Sequence, residues 1–540
     1  MKNKHKILIR VSLFSIITVL MFCFLNIFFQ PVWTTWNNYN TTYGFYEEPE
    51  NTIETAFFGA SVVISGISPT HLYEKYGICA YNFATEQQPM LATYYWLEEV
   101  YRLHSETLKT VVLDVSELRD DSSEAFYHKA LDAMRFSDVK FRAIQDYKGG
   151  DLLDTLSYLL PLNSYHDRWS ELEKTDFEKF TYDANSGTRG YYSDKRTYSE
   201  IAAQSNITLL NPVLDETAKE GKLLKSSLKY LDKMVTFCNE KNIKLVLIKT
   251  VSGNWSSSFH NAVAKVAEEY GLEFLDFNFD PLYDAYGYIH PYDSIDGKHL
   301  NWFGATKFTG WLGQYLVDHC GATDVRNNEK YAFMEEELRE YKLTVGQSVQ
   351  LHTVESVEEY MKLALSGNNT VFITVCDEAS TGFTDELRTY LSDIGMHKLS
   401  RIGYRNGYIG IVSNEGVIYE MLKTKGDKEP LKYTGKLADG VKFTLKSGGH
   451  DQGRMASCLI DGEQWAYNKR GLNIAVYNND AGKVVHRAVF DTYTSLTREC
   501  YSIELSEAIL AAGEDVTYDE DSIEANILAY QKKVEKKRVG

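Results

Sequence analysis

The sequence predicts an α/β protein: a three-layer α/β/α domain on a parallel sheet, a second, smaller α/β domain and an N-terminal transmembrane helix. Three observations carry this prediction. From residue 52 to about 320, short apolar runs alternate with amphipathic stretches, the pattern of parallel strands joined by crossover helices. That rhythm stops in a polar stretch at 324–330, and a second set of strands and helices begins near residue 345. Residues 11–29 form an uncharged run behind Lys2, Lys4, Lys6 and Arg10.

The N-terminal run is long enough to cross a bilayer core as a helix, and its basic flank favours the cytoplasmic side. A cleaved signal peptide is the alternative. Phe28, Phe29, Gln30, Pro31 and Val32 supply none of the small residues that precede a cut. The expectation is therefore an uncleaved single-pass anchor within residues 1–34, the N-terminus cytoplasmic and the bulk of the chain extracytoplasmic at the cell membrane. In the first domain, 35–325, strands are expected at 55–58, 110–115, 243–250 and 272–276. Helices are expected at 89–103, 223–239, 257–270 and 302–319, the last with Phe308, Trp311, Leu312, Tyr315 and Leu316 on one face. Residues 120–222 break the rhythm and read as a partly helical insertion that forms a lid or substrate wall. An acidic helical segment at 335–340 leads into the second domain, 340–500. There, helices at 357–365 and 385–394 flank a strand at 370–375, and β-rich sequence follows to about 493. The end, 501–540, reads as a charged helical tail with Lys532, Lys533, Lys536, Lys537 and Arg538 on a solvated face.

Composition narrows the function. At 540 residues the chain exceeds one ordinary core. A net charge of −18 disfavours nucleic acid, whose phosphates demand clustered cations. The 38 tyrosines suit a carbohydrate surface and a tyrosine-rich core alike. Of seven cysteines none forms a Cys-x-x-Cys or His-flanked spacing, so no metal site or cofactor is implied. Cys376 and Cys458 are open to a disulfide in an oxidising compartment or to burial as free thiols.

Three short segments carry chemistry. In the run from Phe57 to Ser61 an apolar strand ends at Gly59 and delivers the Ser61 hydroxyl to the sheet's carboxyl edge, where open α/β sheets bind ligands. In Asp296-Gly297-Lys298-His299 a carboxylate three residues before an imidazole can orient it, and the imidazole can take a proton from a serine. Asp293 remains an alternative acid and His290, followed by Pro291, a weaker alternative base. In the run from Tyr81 to Gln88, Asn82 can donate to an oxyanion without adding charge, or cap the helix near Pro89, a task for which Thr85 is better placed. Ser61 and His299 are expected within hydrogen-bond reach of each other.

Together these segments resemble the SGNH (GDSL-like) hydrolase superfamily over residues 52–320. The likeness is to its cell-envelope branch, the D-alanyl-lipoteichoic acid biosynthesis and alginate O-acetyltransferase types. Asn82 to Gln88 and Tyr165-His166-Asp167-Arg168-Trp169 resemble that branch in particular. The resemblance implies Ser61 as nucleophile, His299 as general base and then acid, Asp296 as orienting carboxylate, and the Ser61 N–H with the Asn82 amide as oxyanion donors. Gln88, His166 and Arg168 are candidate substrate contacts, with a structural salt bridge as the alternative for His166 and Arg168. Two departures stand out. Ala60 replaces the usual acidic residue of Gly-Asp-Ser, and the Gly-x-Asn-Asp block of esterases is absent, which weighs against free hydrolysis more than against the fold.

In the second domain three runs, at 372–380, 469–477 and 489–493, resemble the interleukin-like EMT-inducer (ILEI, PANDER-like) domain in permuted order. Their strands are expected in one compact unit, with a turn at 478–482. Glycan recognition is implied, with Asp377, Glu378, Arg470 and Asp491 either taking part or only holding turns. The combined expectation is acyl transfer or ester hydrolysis on a cell-surface polysaccharide or teichoic-acid-like polymer, beside a multi-pass membrane acyl-donor protein. The alternative is a non-catalytic, membrane-tethered glycan-binding scaffold.

Overall fold

A computed structural model describes residues 2–32, 44–120, 122–172, 176–177, 187–196, 210–290, 293–354, 356–424 and 426–494. The expected tail at 501–540 lies outside the described residues, as do parts of the 120–222 insertion. The chain divides into two compact units, and after the insertion the division falls between Leu338 and Arg339.

Among the described residues five parallel strands organise the first unit: β1 (Thr55–Gly59), β2 (Ala80–Ala84), β3 (Thr110–Asp114), β4 (Lys244–Lys249) and β5 (Glu273–Asp276). They lie in the order β2-β1-β3-β4-β5. Strands β1 to β3 are buried along their whole length, which is why their sequences are continuous apolar runs rather than alternations. On one face Ala56, Phe58, Val111, Leu113, Leu245 and Leu247 meet helices Met90–His104, Lys225–Lys241 and Ser257–Tyr270 in a single core. The other face is covered by Ser61–Gly66, Pro69–Tyr76 and Trp302–Cys320, which pack on one another. Gly313 lets the last of these close on Tyr76, since a Cβ there would lie 2.4 Å from the ring.

The insertion carries helices Glu124–Leu131, Asp138–Lys148, Leu152–Leu159 and Pro161–Tyr165. Its returning segment lies against the sheet. Arg189 accepts a backbone hydrogen bond from Asn82 of β2, and Tyr192 donates one to Ile64. The N-terminal helix runs Lys2–Phe29, and its stretch Ile9–Phe29 is long and apolar enough to cross a membrane, with a mean hydropathy of 2.4.

Among the described residues the second unit holds nine strands: β6 (Asn369–Asp377), β7 (Gly407–Ser413), β8 (Gly416–Lys423), β9 (Leu431–Lys436), β10 (Lys442–Gly449), β11 (Met455–Ile460), β12 (Glu463–Gln464), β13 (Gly471–Asn478) and β14 (Lys483–Phe490). Strand β6 is the hub. It pairs antiparallel with β7 and β13, and its end runs parallel to β10. The expected turn at 478–482 joins β13 to β14 with Gly482 left-handed, so the three predicted strands share one sheet. Helices Val357–Ser366 and Asp385–Asp393 cover one side of it. Cys376 and Cys458 are free and buried in the core on the other side.

Candidate active site

In the first unit the strand order reverses between β1 and β3, and ligands of open sheets sit beyond the strands' carboxyl ends at such a reversal. Gly59 closes β1 there. A Cβ at Gly59 would lie 2.6 Å from Val63 Cγ2 and 3.0 Å from Asp114 Cβ, so glycine is what lets the chain turn so close to β3. Ser61 then opens the short helix Ser61–Gly66, whose first N–H groups have no intrahelical acceptor.

The partner side chains come from one tight loop before the helix Trp302–Cys320. Ser294 and Leu300 form an isolated bridge, Gly297 turns with φ 79°, and the Ile295 N–H donates to the His299 carbonyl at 2.9 Å. Asn301 caps the helix that follows by accepting from the Gly304 N–H at 3.1 Å. The loop presents His299 with Nε2 2.8 Å from Ser61 Oγ and Nδ1 2.9 Å from Asp296 Oδ2. Asp296 Oδ1 accepts the Lys298 and His299 backbone N–H groups at 2.9 and 3.0 Å. Partial burial pushes the Asp296 carboxyl up, but the hydrogen bond and charge of His299 and the two backbone donors outweigh it and hold it down at about 2.

The alternatives to these residues are placed elsewhere. Asp293 is buried and spends Oδ2 on Lys307 Nζ and the Ile289 N–H, both at 2.7 Å. His290 Nδ1 meets the Tyr288 hydroxyl at 3.1 Å.

Several expected contacts are corrected. Asn82 lies inside β2, opposite Phe57. It is fully buried, and its amide donates to the Ile67 carbonyl at 2.8 Å, with longer approaches to Val63 and Gly190. That amide clamps β2 to the segment after Ser61, and no donor is left to aim at an oxyanion. Gln88 is likewise buried and consumed, donating to the Phe83 carbonyl and Thr93 Oγ1 and accepting from Thr85 Oγ1. Thr85 therefore caps nothing; Pro89 is the N-cap residue of Met90–His104, without a side-chain bond. Arg168 Nη2 donates to both Asp176 carboxylate oxygens at 3.1 and 3.2 Å and Nη1 donates to the Phe29 carbonyl at 2.8 Å, a structural role. His166 is exposed and within 3.1 Å of the Asn163 carbonyl.

Other groups at this edge were not singled out in the sequence. Lys249 ends β4 almost fully buried, 3.7 Å from the Asp114 carboxylate that ends β3. Asp114 also accepts from Ser116 and Thr250. Burial, together with the Asp114 and Asp120 charges, pushes the neighbouring Glu117 up to about 8. The visible signal was a charge closing an apolar strand, at Asp114 and again at Lys249. The Gly253 N–H donates to the Gly297 carbonyl at 2.7 Å and ties the 251–257 segment to the His299 loop. That segment lines a pocket of ≈ 280 Å³ with Asn211, Asn278, Phe279 and Tyr283. The insertion's return is locked by Arg189, fully buried with φ 50°, which holds Glu337 at 2.7 Å, Glu48 at 2.8 Å and the Ala80 carbonyl at 2.7 Å.

In the second unit Arg470 forks onto Asp491 at 2.6 and 2.9 Å. Glu378 accepts backbone N–H groups of Ser380, Thr381 and Arg405. Asp377, left-handed with φ 63°, lies 3.9 Å from Arg454. These groups hold turns together.

Among known proteins, the family model of the interleukin-like EMT inducer matches residues 339–415. That range contains the Asp377-Glu378-Ala379 strand end but not Arg470-Gly471-Leu472-Asn473, which pairs with it through β13. No curated protein matches the chain.

Proposed function

We propose that the chain is a membrane-anchored, extracytoplasmic serine acyltransferase or esterase of the SGNH type, acting on a cell-surface glycan or glycopolymer. The observation that carries the reading is the Ser61–His299–Asp296 chain of hydrogen bonds at the sheet's ligand edge. Ser61 Oγ attacks the acyl carbonyl while His299 Nε2 takes its proton, and the donor's leaving oxygen departs with a proton returned by His299. The acyl-serine is then attacked by a sugar hydroxyl, giving transfer, or by water, giving hydrolysis, with the same imidazole as base. Asp296 stays ionised throughout and stabilises the imidazolium. The Ser61 N–H at the helix start is one oxyanion donor. The pocket beside the His299 loop, with Trp255, Tyr283 and two asparagines in its walls, suits a sugar ring. An interleukin-like EMT-inducer domain, permuted and extended through β14, fits a role in holding the polymer. The basic N-terminal flank favours a cytoplasmic tip.

A fluorophosphonate probe tests the reading, because only an activated serine labels. The full chain should label once, at Ser61, and Ser61→Ala and His299→Ala should abolish labelling. Asn82→Ala should still label when folded. A folded full chain that stays unlabelled would leave a non-catalytic glycan-binding scaffold as the function.

A further inference from the structure

The insertion also carries an apolar surface that the acyl chemistry does not use. Residues 152–162 read Leu-Leu-Asp-Thr-Leu-Ser-Tyr-Leu-Leu-Pro-Leu, with Asp151 capping the helix Leu152–Leu159 through the Leu153 and Asp154 N–H groups. Its buried positions include Thr155 and Tyr158, whereas Leu152, Leu153 and Leu156 face outward. Trp169 and Phe177 of the same insertion are 71% and 59% exposed. A helix folded for water turns its leucines inward. Here three leucines share the exposed side with Asp154, while Thr155 and Tyr158 are buried.

The place of this segment in the fold names what covers it. Three contacts fasten the insertion to the last turn of the apolar N-terminal helix. The Leu162 N–H donates to Asn26 Oδ1 at 3.0 Å, Arg168 donates to the Phe29 carbonyl at 2.8 Å, and the Phe28 and Phe177 rings meet at 5.4 Å. The stretch Ile9–Phe29 has 21 residues, which at about 1.5 Å each matches a hydrocarbon core of about 30 Å. Asn26 precedes Phe29 by three residues, so Leu162 meets the helix roughly 4.5 Å inside its end, at the edge of the hydrocarbon. A guanidinium on the terminal carbonyl and an exposed indole nearby are the chemistry of the headgroup layer.

We propose that residues 152–169 lie in the outer boundary of the bilayer, with Leu152, Leu153, Leu156 and Trp169 in lipid, as a second membrane contact beside the spanning helix. The occupant is phospholipid, because the surface is continuous with the end of the span. Such a contact holds the insertion against the leaflet independently of any activity.

Photocrosslinking of the full chain in nanodiscs of phosphatidylcholine and phosphatidylglycerol tests this. p-Benzoylphenylalanine is placed singly at Leu153, Trp169, Val19 or Val213, all exposed side chains, and each product is checked for an unchanged melting curve. Val19 lies in the span and reports insertion of the N-terminal helix; Val213 is the water-facing control. Lipid adducts at Leu153 and Trp169 should exceed those at Val213 at least tenfold and approach those at Val19. Adducts at Val19 with Leu153 and Trp169 at the Val213 level overturn the second contact alone, as do adducts to protein instead of lipid. No lipid adduct at Val19 overturns both the span and the contact.

Discussion

Two charged constellations in the first unit make a controlled comparison. In one, Asp296 is 42% exposed beside a His299 whose other nitrogen meets a hydroxyl. In the other, Arg189 and Glu48 are fully buried and Glu337 nearly so. The carboxylates respond in opposite directions: Asp296 is held down at about 2, while burial pushes Glu48 up to about 8 against the pull of Arg189. Arg189 donates to both carboxylates, yet burial still disfavours the charge on Glu48. The difference is one of access. The Asp296 carboxylate keeps a path to solvent with both oxygens hydrogen-bonded, whereas the clamp is closed to solvent and leaves Glu48 Oε1 buried without a hydrogen bond among the described residues.

The largest effect should come from the open constellation. Asp296→Asn should cut acyl-enzyme formation by roughly 10⁴-fold, the loss seen when a triad acid is neutralised, with an unchanged melting temperature. If Asp293→Asn produces that kinetic loss instead, the contrast fails, because Asp293 belongs with the clamps through Lys307. Next, Arg189→Met leaves buried carboxylates without their cation and should cost about 3–5 kcal/mol in chemical denaturation, while the folded fraction still labels at Ser61. Loss of labelling at full stability would make Arg189 part of the site. The smallest effect is a pH slope. A Glu48 value raised above that of the unfolded chain means its stabilising contribution is complete below the unfolded value. It is then lost as pH rises toward about 8, at no more than roughly 1.4 kcal/mol per pH unit. Glu48→Gln should remove that decline, so its advantage in melting temperature grows from pH 5 to pH 8. A pH-independent difference would mean that Glu48 is ionised throughout.

What could be read in the sequence tracks how local each interaction is. Strands β1, β3, β4 and β5 were visible as apolar runs, and Asp296 and His299 as a pair on one loop, because three residues of spacing restrict their geometry. Serine delivery by Gly59 was legible for the same reason. Asn82 and Gln88 were misassigned because the direction of an amide is set by carbonyls that tertiary packing brings near. Strand β2 hid behind the polar look of the Asn82 block. Arg189 was invisible because its partners lie 141 and 148 residues away in the chain. In the second unit the β13–β14 turn announced itself through Asn478, Asp480 and Gly482, whereas the branching of the sheet at β6 did not.

The loop that carries His299 has a consequence for biosynthesis. Ser61 and His299 are separated by 238 residues, and His299 belongs to the loop before the helix Trp302–Cys320. A nascent chain therefore exposes Ser61 long before anything can deprotonate it. Parallel strands cannot pair until their crossovers exist, so β4 and β5 must join the sheet before His299 finds its position. On the proposed reading the serine is inert in the nascent chain and gains its base only once β4, β5 and the His299 loop are in place.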